Sequence, residues 1–158
     1  MAIKPDRFIS ETDISYVCND VVDKGIFLVY ATGSTSASGA GISSPGAVEK
    51  ASDPSGRIPA GLSLANFVNI DQTRQHRNYH KDEQIIGENV PLLKKGAVVT
   101  DQIMTGLTIL PGQTAYLGAS GLLTNATGST GQNPKVGQFA TKKDADNFVK
   151  VLVELPSI

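Results

Sequence analysis

Hydrophobic and polar positions alternate most clearly near the end of the chain. The segment Phe148–Leu155 has the sequence FVKVLVEL, in which every second residue is aliphatic: Val149, Val151, Val153 and Leu155. A period of two places these side chains on one face of a β-strand and the residues between them on the other. The sequence therefore predicts a closing strand whose aliphatic face packs on the core. A second apolar run, VGQFA from Val136, predicts the strand before it.

Short apolar runs separated by turn residues recur through the rest of the chain. Ile14–Cys18 and Gly25–Tyr30 are predicted to form a first hairpin, and Leu62–Ile70 is predicted to be a strand. Within Leu92–Met104 the Lys-Lys-Gly sequence predicts a turn between two strands. Pro111-Gly112 suits the middle of a type II turn, because Pro fixes φ and Gly accepts a positive φ. With no amphipathic helix of useful length, the pattern favours an all-β barrel or sandwich.

Two kinds of segment are not expected to belong to the sheet. Met1–Asp13 is polar and is predicted to be an extended N-terminal arm, so that residues 14–158 form a single β domain. Thr32–Gly46 and Asn125–Pro134 consist mainly of small residues and are predicted to be long loops. The first of these lacks a phosphate-binding motif and is interpreted as a loop that is mobile or that a partner orders.

Composition and charge exclude several classes of protein. The chain has 158 residues and a net charge of -1, which gives no general electrostatic basis for binding nucleic acid or an anionic membrane. No run approaches the roughly 18 apolar residues of a membrane helix, and the first residues lack the apolar core of a signal peptide. The single cysteine, Cys18, rules out an intrachain disulfide. These features predict a protein made in a reducing cytoplasm.

Two long stretches contain no charged residue. They are Gln102–Pro134 and Gly25–Val48, and both include predicted loops. Protein–protein interface cores are depleted of Lys, Glu and Asp, so these stretches are consistent with contact surfaces. Small polar residues could also keep such loops soluble without any partner, and the sequence leaves both interpretations open.

No cluster of residues in the sequence indicates a reaction. His76 and His80 have a spacing that would place both imidazoles on one helix face, but Arg77 stands where a metalloprotease motif requires Glu. Cys18 lies about 60 positions from either histidine and is expected to pack as a small hydrophobic residue. The sequence therefore predicts a protein that is not an enzyme and that needs no metal and no other cofactor.

Several stretches, taken together, resemble the head decoration proteins of tailed bacteriophages, which cement capsids. They are RIPAGLSLANFVNID, VPLLKKGAVVTDQI, ILPGQTAYLGASGLLT and the closing VGQFA and FVKVLVEL. The resemblance covers Arg57–Leu155 and lies in the order of strands and the chemistry of turns. The opening region, Met1–Ser55, has no equivalent in the family.

The resemblance implies a small β-barrel or β-tulip-like domain on the outer surface of a virion. It implies binding to the major capsid protein of an assembled shell, self-association, often as a trimer, and no catalysis. On this hypothesis the partner contacts come from the arm and the charged segment, with seven candidate residues: Lys4, Pro5, Arg7, Phe8, Ile9, Arg74 and Arg77. The alternative is a non-catalytic β-sandwich module of a phage tail or fibre that binds carbohydrate.

Overall fold

The computed structural model describes residues 3–31, 46–70, 76–128 and 132–155, with residues 4–7 described by their backbone alone. Within these residues the chain forms two 3₁₀ turns, Tyr79–Lys81 and Ala119–Gly121, and twelve strands. The strands are β1 Ile3–Asp13, β2 Val17–Cys18, β3 Phe27–Tyr30, β4 Ala47–Glu49, β5 Pro59–Ser63, β6 Asn66–Val68, β7 Glu83–Ile85, β8 Leu92–Thr100, β9 Thr114–Leu117, β10 Leu123–Thr124, β11 Lys135–Phe139 and β12 Val149–Glu154.

Ten strands form one mixed sheet, and β6 and β7 form a separate parallel pair. The order across the large sheet is β10-β9-β11-β12-β8-β5-β3-β4-β2, and β1 also pairs with β8. All pairs in it are antiparallel except that of β2 with β4. The expectation of an all-β protein is confirmed, and no closed barrel forms among the described strands.

The longest central strand, β8, organises the sheet because three strands pair with it. β12 pairs with its second half, from Lys95 to Thr100, and β5 pairs with Leu92 and Leu93. β1 pairs along the whole length of β8. A strand has two edges, so β1 must occupy the edge opposite to the one that β12 and β5 share.

The predicted closing strand is confirmed. In β12, Val149, Val151 and Val153 are buried, whereas Leu152 and Glu154 are exposed. β12 pairs with β11, which is the VGQFA strand predicted before it. The turn at Pro111-Gly112 is also confirmed, since Gly112 has a φ of 87° immediately before β9.

Two hydrophobic clusters lie on opposite faces of the sheet. The larger contains the buried valines of β12 together with Phe27, Leu93 and Phe139. The smaller contains neighbours of these residues in sequence, among them Leu28 and Leu92. Consecutive residues of a strand point to opposite faces, so β3 and the start of β8 are buried on both sides. This explains why their sequences are continuously apolar instead of alternating.

The polar segment predicted to be an unpacked arm is instead part of the sheet. Ile3–Asp13 forms β1, which is paired with β8 from Ile3↔Thr100 to Asp13↔Leu92. Its polar composition led to the expectation of an arm, but the outer strand of a sheet needs few buried side chains. Backbone hydrogen bonding, which the hydrophobic pattern does not reveal, holds such a strand in place.

The predicted Lys-Lys-Gly turn and the first hairpin are also wrong. Lys94, Lys95 and Gly96 lie in the middle of β8, where Gly96 allows a close approach of β1 instead of a reversal. β2 pairs with β4, whereas β3 pairs with β4 and β5, so no β2–β3 hairpin forms in the described residues. The loop Thr32–Gly46 lies outside the described residues except for Gly46.

Candidate partner-binding surface

The first feature of this surface is the edge of β8 that receives β1, residues Leu92–Thr100, which we call the β1 seat. Gly96 is essential to it, because a Cβ added there would overlap the carbonyl oxygen of Phe8 and lie 3.2 Å from Cα of Ile9. The two backbones thus approach more closely than any side chain would allow. The register shifts three times along the pair, so β1 follows the seat as an irregular strand.

β1 buries very little of itself. Among its described side chains Ile3 alone is buried, and it belongs to the larger hydrophobic cluster. Phe8 is 67% exposed and Ile9 is 39% exposed, and Ser10, Glu11 and Thr12 are exposed as well. β1 therefore presents large apolar side chains to the surroundings of the protein.

The exposed Phe8 is part of an apolar row that crosses the outer face of the sheet. Phe8 pairs with Ala97 of β8, and Ala97 pairs on its other side with Leu152 of β12. Directly paired residues point to the same face, so these three side chains stand next to one another. Leu152 is 44% exposed. The row continues through polar residues, Gln138 of β11 and Thr114 of β9.

A shallow groove of about 660 Å³ runs over this row. Its lining includes Gly96, Ala97 and Gly137, residues with little or no side chain. Glycine is required at position 137, because a Cβ there would overlap the carbonyl oxygen of Leu152. Lys95 and Glu154 also line the groove and form an exposed ion pair with an Nζ–Oε1 distance of 3.4 Å. The groove is thus apolar along its centre and charged at one side.

A polar and aromatic cluster fixes the end of β1. The Lys94 ammonium lies 3.1 Å from an Asp13 carboxylate oxygen and donates a hydrogen bond of 3.2 Å to the Tyr30 hydroxyl. It also lies 5.6 Å and 5.8 Å from the ring centres of Tyr16 and Tyr30, within the range of cation–π attraction. The two rings meet edge to face at 5.2 Å. Lys94 therefore connects β1 to the aromatic rim of the smaller cluster.

The electrostatics of this cluster favour its charged form. Hydrogen bonds from Ser15, and then the Lys94 ammonium, lower the pKa of Asp13 below its ordinary value of 3.8. Burial alone would lower the pKa of Lys94, but hydrogen bonds with Tyr30 and Asp13 outweigh it and raise the pKa above 10.5. A hydrogen bond with Tyr30, followed by burial, raises the pKa of Tyr16. The ion pair between Asp13 and Lys94 is therefore favoured over a wide range of pH.

The structure places the seven predicted contact residues in different surroundings. Phe8 lines the groove and Ile9 is exposed beside it. Arg77 lies between β6 and β7, where its guanidinium is 2.8 Å from a Glu88 carboxylate oxygen. The other four are placed in β1 by their backbone alone or lie outside the described residues: Lys4, Pro5 and Arg7 in the first case, Arg74 in the second. The structure therefore does not join Arg77 to the surface around Phe8.

Sequence analysis missed Leu152 and the small residues beneath the groove. A signal for Leu152 was present, because it is the one aliphatic residue between Lys150 and Glu154 on the outward face of the closing strand. An apolar residue at an outward position of an alternating strand indicates a contact surface when other exposed apolar residues lie beside it. For Gly96 and Ala97 there was no comparable signal, since their role depends on the pairing of β1 with β8.

The residues considered for chemistry do not form a site in the described structure. His76 precedes extended backbone and His80 lies in the short 3₁₀ turn, so they do not share the face of an α-helix. Among the described residues no group of three or more His, Cys, Asp or Glu could hold a metal ion. Cys18 is fully buried, and burial raises its pKa to about 11, which keeps the thiol protonated.

The longer uncharged stretch, Gln102–Pro134, divides between core and surface. Five of its residues are buried in the larger cluster: Ile103, Ile109, Ala115, Leu117 and Leu123. Its exposed residues lie in turns, for example Leu110, which is 55% exposed beside Pro111-Gly112. Core packing therefore accounts for part of the missing charge, and exposed uncharged turns account for the rest.

No protein-family model matches the sequence, and no curated protein matches it significantly. Within the described residues there is also no helix with the length and hydropathy needed to cross a membrane. Function must therefore be inferred from the surface described above.

Proposed function

We propose that this protein is a decoration protein that binds an assembled phage capsid and stabilises it by bridging capsomers. The observation that best supports the proposal is the row of Phe8, Ala97 and Leu152 on the outer face of the sheet. Two large apolar side chains beside a groove of about 660 Å³ are costly to leave in water and are typical of a surface that another protein covers. The resemblance to head decoration proteins supports the major capsid protein as that partner.

In this proposal the major capsid protein covers the row and the groove, on the outside of the virion. Exposed uncharged turns such as that at Leu110 contact sister copies, and a trimer would multiply the contacts of each bound unit. Many modest contacts acting together would then resist the pressure that expands the shell. A small β-tulip built around β8 is the fold we propose for such a domain. The proposal involves no nucleic acid, membrane or cofactor.

The test is shell binding by surface variants. We expect Phe8→Ser and Leu152→Ser to bind undecorated capsids at least about tenfold more weakly, which corresponds to a loss of about 1.4 kcal/mol. The control is Val21→Ser, which removes an aliphatic side chain that is 56% exposed and does not line the groove. All three variants should melt like the parent protein, because each replaces an exposed residue.

Particle stability tests the cementing role itself. Decorated capsids should break at a higher temperature than undecorated ones, and Phe8→Ser should reduce the difference. Equal binding by Phe8→Ser, Leu152→Ser and Val21→Ser would refute the proposed surface. Equal breakage of decorated and undecorated particles would refute the cementing function.

A carbohydrate-binding module of a tail or fibre is the second candidate. One observation favours it, namely Tyr79, which is 75% exposed in a depression that His76, Asn78 and His80 also line. Sugars stack on exposed aromatic rings, but the Arg77 guanidinium lies 5.8 Å from the ring centre of Tyr79. Binding to a glycan array that Tyr79→Ala abolishes would favour this function over the first.

A further inference from the structure

The inference concerns how β1 is held, because its attachment differs from that of its neighbours. Among the described side chains of β1, Ile3 alone is buried, and the register of the strand shifts three times. Segments with few buried apolar contacts open at a lower free energy than the core. β1 should therefore leave its seat while the rest of the sheet stays folded.

The β1 seat is matched in charge to β1 itself. Lys94 forms an ion pair with Asp13, and Lys95, whose ammonium pairs with Glu154 of β12, is also the direct cross-strand partner of Glu11. Gly96 accepts the close approach of the Phe8 carbonyl. Lys94 and Lys95 of the seat are thus opposite the acidic residues Asp13 and Glu11 of β1, and Gly96 lies where the backbone of β1 comes closest. The strand that best fits a vacated seat is consequently another copy of β1.

The connection between β1 and the rest of the sheet is short. Beyond Asp13 the chain is fixed again at Val17, whose N–H donates to the carbonyl of Gly46, and the Tyr16 carbonyl accepts a hydrogen bond from Val90. Ile14 and Ser15 remain between these points, and Ile14 is 62% exposed. Short connections of this kind favour exchange of a terminal element between copies over a return to the same copy.

We propose that β1 exchanges between copies of this chain, so that β1 of one copy occupies the β1 seat of another. This deepens the proposed function by naming a second copy of the chain as the partner of β1. The role of the exchange in decoration rests on the proposed function. Decorating copies would then be joined by backbone hydrogen bonds as well as by surface contact. The exchange itself requires no shell, so it can be tested apart from capsid binding.

Two variants of the full chain, each with one added cysteine, provide the test. Glu11→Cys and Lys95→Cys lie opposite each other when β1 is seated, and both positions are exposed. The native Cys18 is retained because it is fully buried. The two variants are mixed, incubated and oxidised, and disulfide-linked heterodimers are counted on a non-reducing gel. The double variant Glu11→Cys/Lys95→Cys reports the seating of β1 on its own chain.

Exchange predicts heterodimer in the mixture at a level at least about tenfold above the control. The control mixes Glu11→Cys with Lys142→Cys, an equally exposed lysine in the connection before β12, and so measures random collision. Excess synthetic peptide of residues 3–13 should reduce the heterodimer by occupying vacated seats.

Two results would overturn the inference. One is heterodimer at the control level while the double variant closes internally, which would show that β1 returns only to its own chain. The other is a double variant that forms neither an internal nor an intermolecular disulfide, which would show that β1 occupies no seat, its own or that of another copy. The first result would leave shell binding, and hence the proposed function, standing, whereas the second would also remove the row of Phe8, Ala97 and Leu152 that supports that function. Exchange without shell binding would instead refute the proposed function alone.

Discussion

β12 and β1 pair with opposite edges of β8, yet they are held by different forces. β12 lies between β8 and β11 and buries Val149, Val151 and Val153 in the larger cluster. β1 has one partner strand among those described and buries Ile3. Side-chain burial therefore fixes β12, whereas backbone hydrogen bonds, a close approach at Gly96 and one ion pair fix β1. Two strands that pair with the same central strand can thus differ greatly in how firmly they are attached.

The comparison also separates stability from function. A strand that buries most of its apolar side chains in the core has few apolar side chains left to contact a partner. In β12 Leu152 is the exception, because it is apolar and exposed. β1 contributes little to the core and keeps Phe8 and Ile9 exposed. The same sequence property that weakens its attachment makes it available for recognition. Proteins often place binding elements at the low-stability end of the fold for this reason.

The largest effect is expected from a charge in the core face of β12. Val151→Asp places a carboxylate in the larger cluster without a partner, and it should cost at least about 4 kcal/mol and unfold the domain. Lys150→Asp, on the other face of the same strand, should cost less than about 1 kcal/mol. Urea denaturation followed by circular dichroism measures both. Equal loss in the two variants would show that the faces of β12 are assigned wrongly.

Two glycines test the difference between the strands directly. Gly137→Ala forces apart β11 and β12 within the core, and it should cost about 3 kcal/mol of global stability. Gly96→Ala creates a similar overlap, but against β1, which can detach. Release of β1 therefore costs no more than the free energy of seating it, which we expect to be about 1–2 kcal/mol. The φ of 153° at Gly96 adds backbone strain within β8, because L-residues rarely adopt it.

Hydrogen exchange distinguishes these two outcomes. Gly96→Ala should lose amide protection in β1 and keep it in β11 and β12, whereas Gly137→Ala should lose protection throughout the sheet. Global loss in Gly96→Ala would contradict the view that β1 is a separable strand.

A change of pH should alter the attachment of β1 less than these glycine substitutions alter stability. The pKa of Asp13 is lowered in the folded chain, so its contribution is present above 3.8 and is lost as the pH falls through the folded value. The pKa of Lys94 is raised, so its contribution is present below 10.5 and is lost as the pH rises through the folded value. NMR signals of β1 should therefore be constant near neutral pH and change below pH 3.8. Asp13→Asn should abolish the acid transition, and a transition unchanged in that variant would assign it to another group.

Alternation and turn chemistry were enough to predict the class of fold and the buried face of β12. They failed where a segment's role depends on a distant partner. Ile3–Asp13 has a polar sequence because the outer strand of a sheet needs few buried side chains, and its pairing with β8 leaves no local pattern. Lys94-Lys95-Gly96 has the composition of a turn, but its glycine is required because the backbone of β1 approaches too closely for a side chain.

Less of the candidate surface than of the fold could be predicted from the sequence. Phe8 and Ile9 were named from the sequence, and both are exposed. Their neighbours Ala97 and Leu152 come from strands about 90 and 140 residues further along, and only the register of β1, β8 and β12 brings the row together. Arg77 was grouped with them by charge, but it is paired with Glu88 in another part of the fold.

The smallest effect is expected for the reaction rate of the Cys18 thiol, which Gly96→Ala should leave unchanged. Cys18 belongs to the smaller cluster, to which the described side chains of β1 contribute no member. Release of β1 in Gly96→Ala should therefore leave the thiol as slow as in the parent protein toward a thiol reagent at pH 8, where a pKa of about 11 also keeps it protonated. In Gly137→Ala the loss of about 3 kcal/mol raises the unfolded population, and with it the rate of reaction, on the order of 100-fold. Colour development from an aromatic disulfide reagent measures both rates. A fast reaction in Gly96→Ala would show that seating of β1 supports the smaller cluster, and the two strands would then differ less than the comparison claims.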